Sequence, residues 1–384
     1  MMRWGFASYF QYNYSLSVLL FFVFLSVNAQ DLENEKLPSF YNIQVDYYYG
    51  NILEHNPDLS HLIQGHPTGV LASFNRKSYG AKNWERFYNY PDIGVTFGYQ
   101  DTHNPILGKQ LSLNGHFSFY FLKRNLQLTA GQGLAYITNP YDFNNNPYNN
   151  AYGSRFTTSM FFKLGYVKEN IWNGFGFQTG LFFMHYSNGN FKAPNTSTNT
   201  IGINVGVKYN FNHENFPAYI SLQDGESTKD FSERIKYNIM FRAGINQSDV
   251  IGSPRYPFFV ISGFADRRLN YKSTLQMGVD IFFMKYLKKY IAYRAVAFPE
   301  DGYSGDEDYK RVGLFVGHEL RFSKTAFVTQ LGYYVYFPFD NGNRIYNRLG
   351  INRYLFNDKY FAGISVKSHW AKAEAIEFSV GARL

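Results

Sequence analysis

No cysteine occurs anywhere in the 384 residues. Disulfides, thiolate zinc sites, cysteine nucleophiles and an acylated-cysteine lipoprotein anchor are therefore excluded. Long apolar runs are almost as scarce. One lies in the opening MMRWGFASYFQYNYSLSVLLFFVFLSVNAQ, which offers Arg3, then LSVLLFFVFLSV, then the small residues Val27 and Ala29. That order predicts a secretory signal peptide over residues 1–29, cut after Ala29. The alternative, a retained membrane anchor, calls for roughly 20 apolar residues, more than this run holds. After it, no segment has the about 18 apolar residues that mark a spanning helix. Walker A, HExxH and GxSxG strings are also missing, and GFGFQTG at 174–180 has the wrong spacing for a dinucleotide fingerprint.

What the chain has in excess is aromatic surface. Aromatics make up 20% of it, with 34 Tyr and 39 Phe, yet the mean hydropathy is −0.33. Apolar residues must then be interleaved with polar ones. In KYNIMFRAGIN at 236–246, Tyr237, Ile239, Phe241, Ala243 and Ile245 alternate with Lys236, Asn238, Arg242, Gly244 and Asn246. TLQMGVDIFF and the final IEFSVGARL repeat the pattern. Without a spanning helix, the way to cross a bilayer with every backbone group bonded is a closed antiparallel β-barrel. A soluble sandwich also alternates, but its apolar side rarely carries so many aromatics over so many strands. The segments between Phe40 and Leu384 number about 14, within a range of roughly 12 to 16. They are read as one all-β, outer-membrane barrel domain over residues 30–384, whose long breaks face outward.

One strand ends oddly. In 173–187, Phe175, Phe177, Thr179, Leu181 and Phe183 share a face with His185 and Ser187, while Gly174, Gly176, Gln178 and Gly180 begin the other. The next strand, TNTIGINVGVKYNF, puts Asn199 at the start of its own apolar face. Pairing the two through the intervening loop sets Asn199 beside His185 and Ser187 on the lipid side. Polar groups there are expensive unless they sit at the interface or serve a purpose. An interfacial girdle is one explanation. The other is chemical: Ser with His in reach is the nucleophile and base of acyl transfer, and the third group orients the imidazole.

The string HYSN, followed by PN and then Asn199, resembles the signature of the PagL family of lipid A 3-O-deacylases, outer-membrane β-barrels. GQGLAYITNPYDFNNN, AYGSRF and KSHWAKAEAIE are similar to a larger branch often labelled acyloxyacyl hydrolase. The resemblance implies a serine-type esterase that removes an ester-linked acyl chain from lipid A of lipopolysaccharide at the barrel's outer surface. It assigns Ser187 as nucleophile, His185 as base, Asn188 to the oxyanion and Asn195 as a helper on the substrate. The departure is Asn199, because the smaller family members carry Glu at this spacing. An amide oxygen can accept the imidazole N–H but brings no charge. Asp142, in the break at 139–154, is the candidate for a substitute carboxylate.

Other groups read more plainly. His55, His61 and His66 share one loop but match no metal spacing, and EDGYSGDED at 300–308 lacks the EF-hand glycine and terminal Glu. Both are read as solvated loops. Lys367 and His369 fall on the polar side of their strand, with Glu377 expected to balance them inside the lumen. No cofactor and no metal are expected. The net charge of +8 suits contact with lipopolysaccharide phosphates, for which Lys192 is well placed. Basic residues are too scattered for a nucleic-acid surface. None of these features sets an oligomeric state. The competing functional reading is a passive porin or transporter that keeps the fold without the chemistry.

Overall fold

Alternation becomes strand. In β1 (Phe40–Ile52), Ile43, Val45, Tyr47 and Tyr49 are exposed while Asn42, Gln44, Asp46 and Tyr48 are buried. A soluble sheet buries its apolar face; here the polar face is inside and the apolar one outside, the order a bilayer demands. The computed structural model describes residues 39–222, 233–340, 343–370 and 372–384, so the expected signal peptide, residues 1–29, lies outside the described residues. The described residues form one compact unit.

The all-β antiparallel reading holds, with 16 strands at the top of the expected range. Closure is where the molecule differs from the single ring that alternation predicts. The strands form two closed rings, β1 to β8 (Thr198–Asn210) and β9 (Lys236–Asn246) to β16 (Lys372–Arg383). Val45 faces Val207 across the first seam, and Phe241 faces Val380 across the second. The physical reason is that a period of two fixes which face a residue takes but not which distant strand completes the ring.

Both lumens are filled by paired polar side chains. In the first, Asp46 accepts from Lys163 at 2.5 Å, Gln178 at 2.7 Å and Asn204 at 2.9 Å. Lys208 lies 2.8 Å from Glu169 and 3.7 Å from Asp92. In the second, Arg348 bridges Asp280 at 3.0 Å and Glu377 at 2.6 Å, and Arg311 sits 3.0 Å from Glu374. The charge balance expected around Lys367 is present with a different partner. Register places Glu377 opposite Ser365, so it serves Ser365 and Arg348, while Lys367 and His369 pair with Glu374.

Among the described residues, two α-helices interrupt the pattern. The single turn α1 (Asn83–Phe87) follows β2 (Thr68–Lys77), and α2 (Lys285–Ala297) follows β11 (Ser273–Met284) with Tyr286, Leu287 and Ile291 buried. On the turn side of the rings, aromatic rings hold the two together: Tyr88 stacks on Phe322 at 4.5 Å and Phe87 on Tyr271 at 4.7 Å.

Candidate active site

His185 and Ser187 close β7 (Phe175–Ser187), the strand between β6 (Phe156–Trp172) and β8. Its odd positions Phe175, Phe177 and Leu181 are exposed, so the row that carries His185 looks outward as expected. Two residues along a strand are separated by about 7 Å at Cα, which places both side chains side by side on that face.

Register puts His185 directly opposite Asn199. The imidazole Nδ1 lies 2.6 Å from Asn199 Oδ1. An amide oxygen only accepts, so the proton sits on Nδ1 and the Nε2 lone pair is left free to act as a base. Among the described residues no carboxylate forms an ion pair with this imidazole. Asp142 in particular is engaged elsewhere: its Oδ1 accepts from the N–H groups of Asn144 and Asn145 at 3.0 and 2.9 Å. Those bonds, the one from Asn145 foremost, hold its carboxyl below the usual range, with the nearby Lys192 charge adding to the effect. Asp142 is thus satisfied inside its own loop and does not replace the missing acid.

Ser187 breaks the alternation. Its position should be exposed, yet it is 3% exposed, because residues 188–195 fold back over the strand end. Within that loop Asn195 Nδ2 donates to Ser187 Oγ at 3.0 Å and the Gly189 N–H donates to it at 3.1 Å. Asn195 Oδ1 meanwhile accepts the Asn188 N–H at 2.9 Å. Asn195 therefore grips the hydroxyl itself, a closer engagement than a substrate contact. Two N–H donors converging on one oxygen favour negative charge there. Asn188 is buried; its NH₂ donates to Lys192 O at 2.6 Å and Ser154 Oγ at 3.2 Å, and its Oδ1 is a buried acceptor with no partner. The Lys192 side chain is exposed at the rim.

The fold brings the six expected site residues into two adjoining strand ends, of β7 and β8, and the loop between them. It joins them as two hydrogen-bonded groups, His185 with Asn199 and Ser187 with Asn195 and Asn188, and the serine hydroxyl is bonded to its own loop rather than to the imidazole. Several supports escape sequence reasoning. His55 Nε2 is 2.9 Å from Thr196 O, and Leu53 N–H donates to Asn199 O at 2.7 Å. Tyr152 Oη meets Thr198 Oγ1 at 2.5 Å. The other loop imidazoles also find partners, His61 at Tyr148 O and His66 at Asn51 Oδ1. The only hint in the sequence is that these loops are long and polar, which says nothing about what they touch.

Comparison with known proteins follows the same division. The chain matches the family model "Lipid A 3-O-deacylase (PagL)" over residues 68–208 and "Acyloxyacyl hydrolase, C-terminal domain" over residues 235–384. No curated protein matches it. Two solved triple mutants of a Rhodopseudomonas blastica porin are each 9% identical to it, with 90% of this chain and 100% of the porin covered and a TM-score of 0.20. So remote a likeness says nothing of what this chain does. The two family matches fall one on each ring, the first taking in every residue from β2 to the Ser187 loop and Asn199, and the chain belongs to the PagL-like family of lipid A 3-O-deacylases and acyloxyacyl hydrolases.

Proposed function

We propose that this barrel is an outer-membrane esterase that releases an ester-linked acyl chain, at the 3 position, from lipid A. The observation that carries the reading is the 2.6 Å bond from His185 to Asn199 on the same outward face as Ser187. It leaves Nε2 available as a base. In the reaction His185 Nε2 takes the Ser187 proton as Oγ attacks the acyl carbonyl. The imidazole then returns that proton to the leaving sugar oxygen, and water repeats the cycle to free the fatty acid. N–H groups of the 188–195 loop stand nearest the developing oxyanion, where the Gly189 N–H already reaches Oγ. Asn199 orients the ring, and exposed Lys192 meets a phosphate of the glycolipid.

An outward site suits a substrate whose acyl chains lie in the bilayer beside the barrel. The porin alternative is disfavoured by lumens packed with paired charges such as Lys208 with Glu169 and Arg348 with Glu377. The test is to incubate the purified full chain in detergent with lipopolysaccharide and follow released hydroxy fatty acid by mass spectrometry. Release that disappears in Ser187→Ala, with the folded barrel's heat-modifiable mobility retained, is the expected result. Equal release from the variant sinks the proposal.

A further inference from the structure

The loop from Asn188 to Ser197 contains no helix or strand, yet it must hold two N–H donors within 3.1 Å of one oxygen. Part of its support comes from its own ring, through the Ser154 and Thr196 contacts. The rest comes from the other ring. Gln247 begins the turn after β9 and is 4% exposed. Its N–H donates to Asn190 O at 3.1 Å, and its C=O accepts from Asn190 Nδ2 at 3.0 Å. Its side-chain Oε1 accepts the Ala193 N–H at 3.0 Å, while its Nε2 donates to Ser253 O in its own turn. Both backbone groups and the amide oxygen are thus committed to the loop.

Two further contacts act at the same place. The Arg255 guanidinium lies over Phe191 at 4.9 Å. Gly189, with φ at +61°, packs on Ile376 of β16, and a Cβ there would come 2.5 Å from Ile376 Cγ1. A side chain there would need a left-handed backbone and a displaced Ile376, so the N–H that reaches Ser187 Oγ depends on a glycine pressed against the second ring.

From this geometry we infer that the second ring is a working part of the hydrolytic centre, with Gln247 as a positioning residue that sets the loop around the nucleophile. The inference rests on Ser187 being that nucleophile. The residues Gln247 pins, Asn190 and Ala193, lie between the two donors to Ser187 Oγ, Gly189 and Asn195. Releasing them lets both donors drift, and a misplacement of about 1 Å costs on the order of 10²-fold in rate.

The experiment compares variants of the full chain in detergent, using a p-nitrophenyl acyl ester and a fluorophosphonate probe that labels activated serines. Gln247→Ala should lower kcat about 10- to 100-fold and slow labelling of Ser187 in parallel, with KM within about threefold. Gln247→Glu keeps an acceptor for the Ala193 N–H and should restore most of the rate, which a merely structural defect would not allow. Should Gln247→Ala fail to fold, the double variant Asn190→Cys, Gln247→Cys decides, since the chain has no other cysteine. It should turn over faster oxidised than reduced. Wild-type kcat and labelling in Gln247→Ala, or equal rates for the double variant in both redox states, overturn the inference. A wild-type chain that neither hydrolyses ester nor takes the probe instead overturns the assignment of Ser187.

Discussion

The two rings obey one code and put it to different ends. Each has eight strands, an apolar exterior and an interior of matched charges, and each carries polar loops at the end away from its short turns. Only the first ends an outward row in His185 and Ser187 and folds a loop over them. The second, at the equivalent height, presents a buried glutamine and a helix. The barrel pattern supplies a stable wall; chemistry enters where one strand end and one loop depart from it.

The contrast is broken most severely at the base. His185→Ala removes the group that takes the serine proton, and hydrolysis should fall about 10²- to 10⁴-fold, read from fatty-acid release, while the barrel stays folded. A variant with undiminished release would leave the first ring no more catalytic than the second. Arg348→Met asks the converse, whether the second ring contributes stability apart from chemistry. It leaves Asp280 and Glu377 in the lumen with Arg242 as their remaining guanidinium partner, at 3.4 and 3.7 Å, and loss of one partner of a buried pair costs up to about 3–5 kcal/mol. The folded form should lose its mobility at a lower temperature, and kcat of the molecules that remain folded should be unchanged. Asn199→Glu sharpens the chemical half. A carboxylate at this position supports the imidazolium, so the rate should rise about tenfold or more, within the range spanned by acid-to-amide exchange in serine triads. No gain would take Asn199 out of the orienting role. The smallest change is expected from Tyr152→Phe, which removes the bond to Thr198 beside Asn199. A neutral hydrogen bond of about 1 kcal/mol predicts a loss of roughly fivefold at most, measured as kcat.

What could be read in the sequence was whatever repeats or lies close along the chain. Alternation placed Phe175, Phe177 and Leu181 outside and Gln178 inside, and adjacency of β7 and β8 along the chain placed Asn199 beside His185. Both follow from the two-residue period and a hairpin register. Burial of Ser187 was not legible, because the alternating pattern stops at the strand end and the loop that covers it has no period. The clamp by Gln247 was hidden for a related reason: it joins residues 57 apart in sequence across two separately closed rings. Closure itself was invisible, since β8 and β9 alternate alike and a period of two does not name the strand that completes a ring. Similarly, nothing in a period of two announces that the chain coils after Met284 into α2.

The ionic filling of the first ring also constrains how the molecule is made. Asp46, on the first strand, finds its partners at separations of 117, 132 and 158 residues along the chain. Until the eighth strand docks, that carboxylate and Lys163 have no counter-charge and two sheet edges stand open, a state that hydrocarbon penalises heavily. Closure of the ring and burial of its charges in hydrocarbon are therefore coupled events.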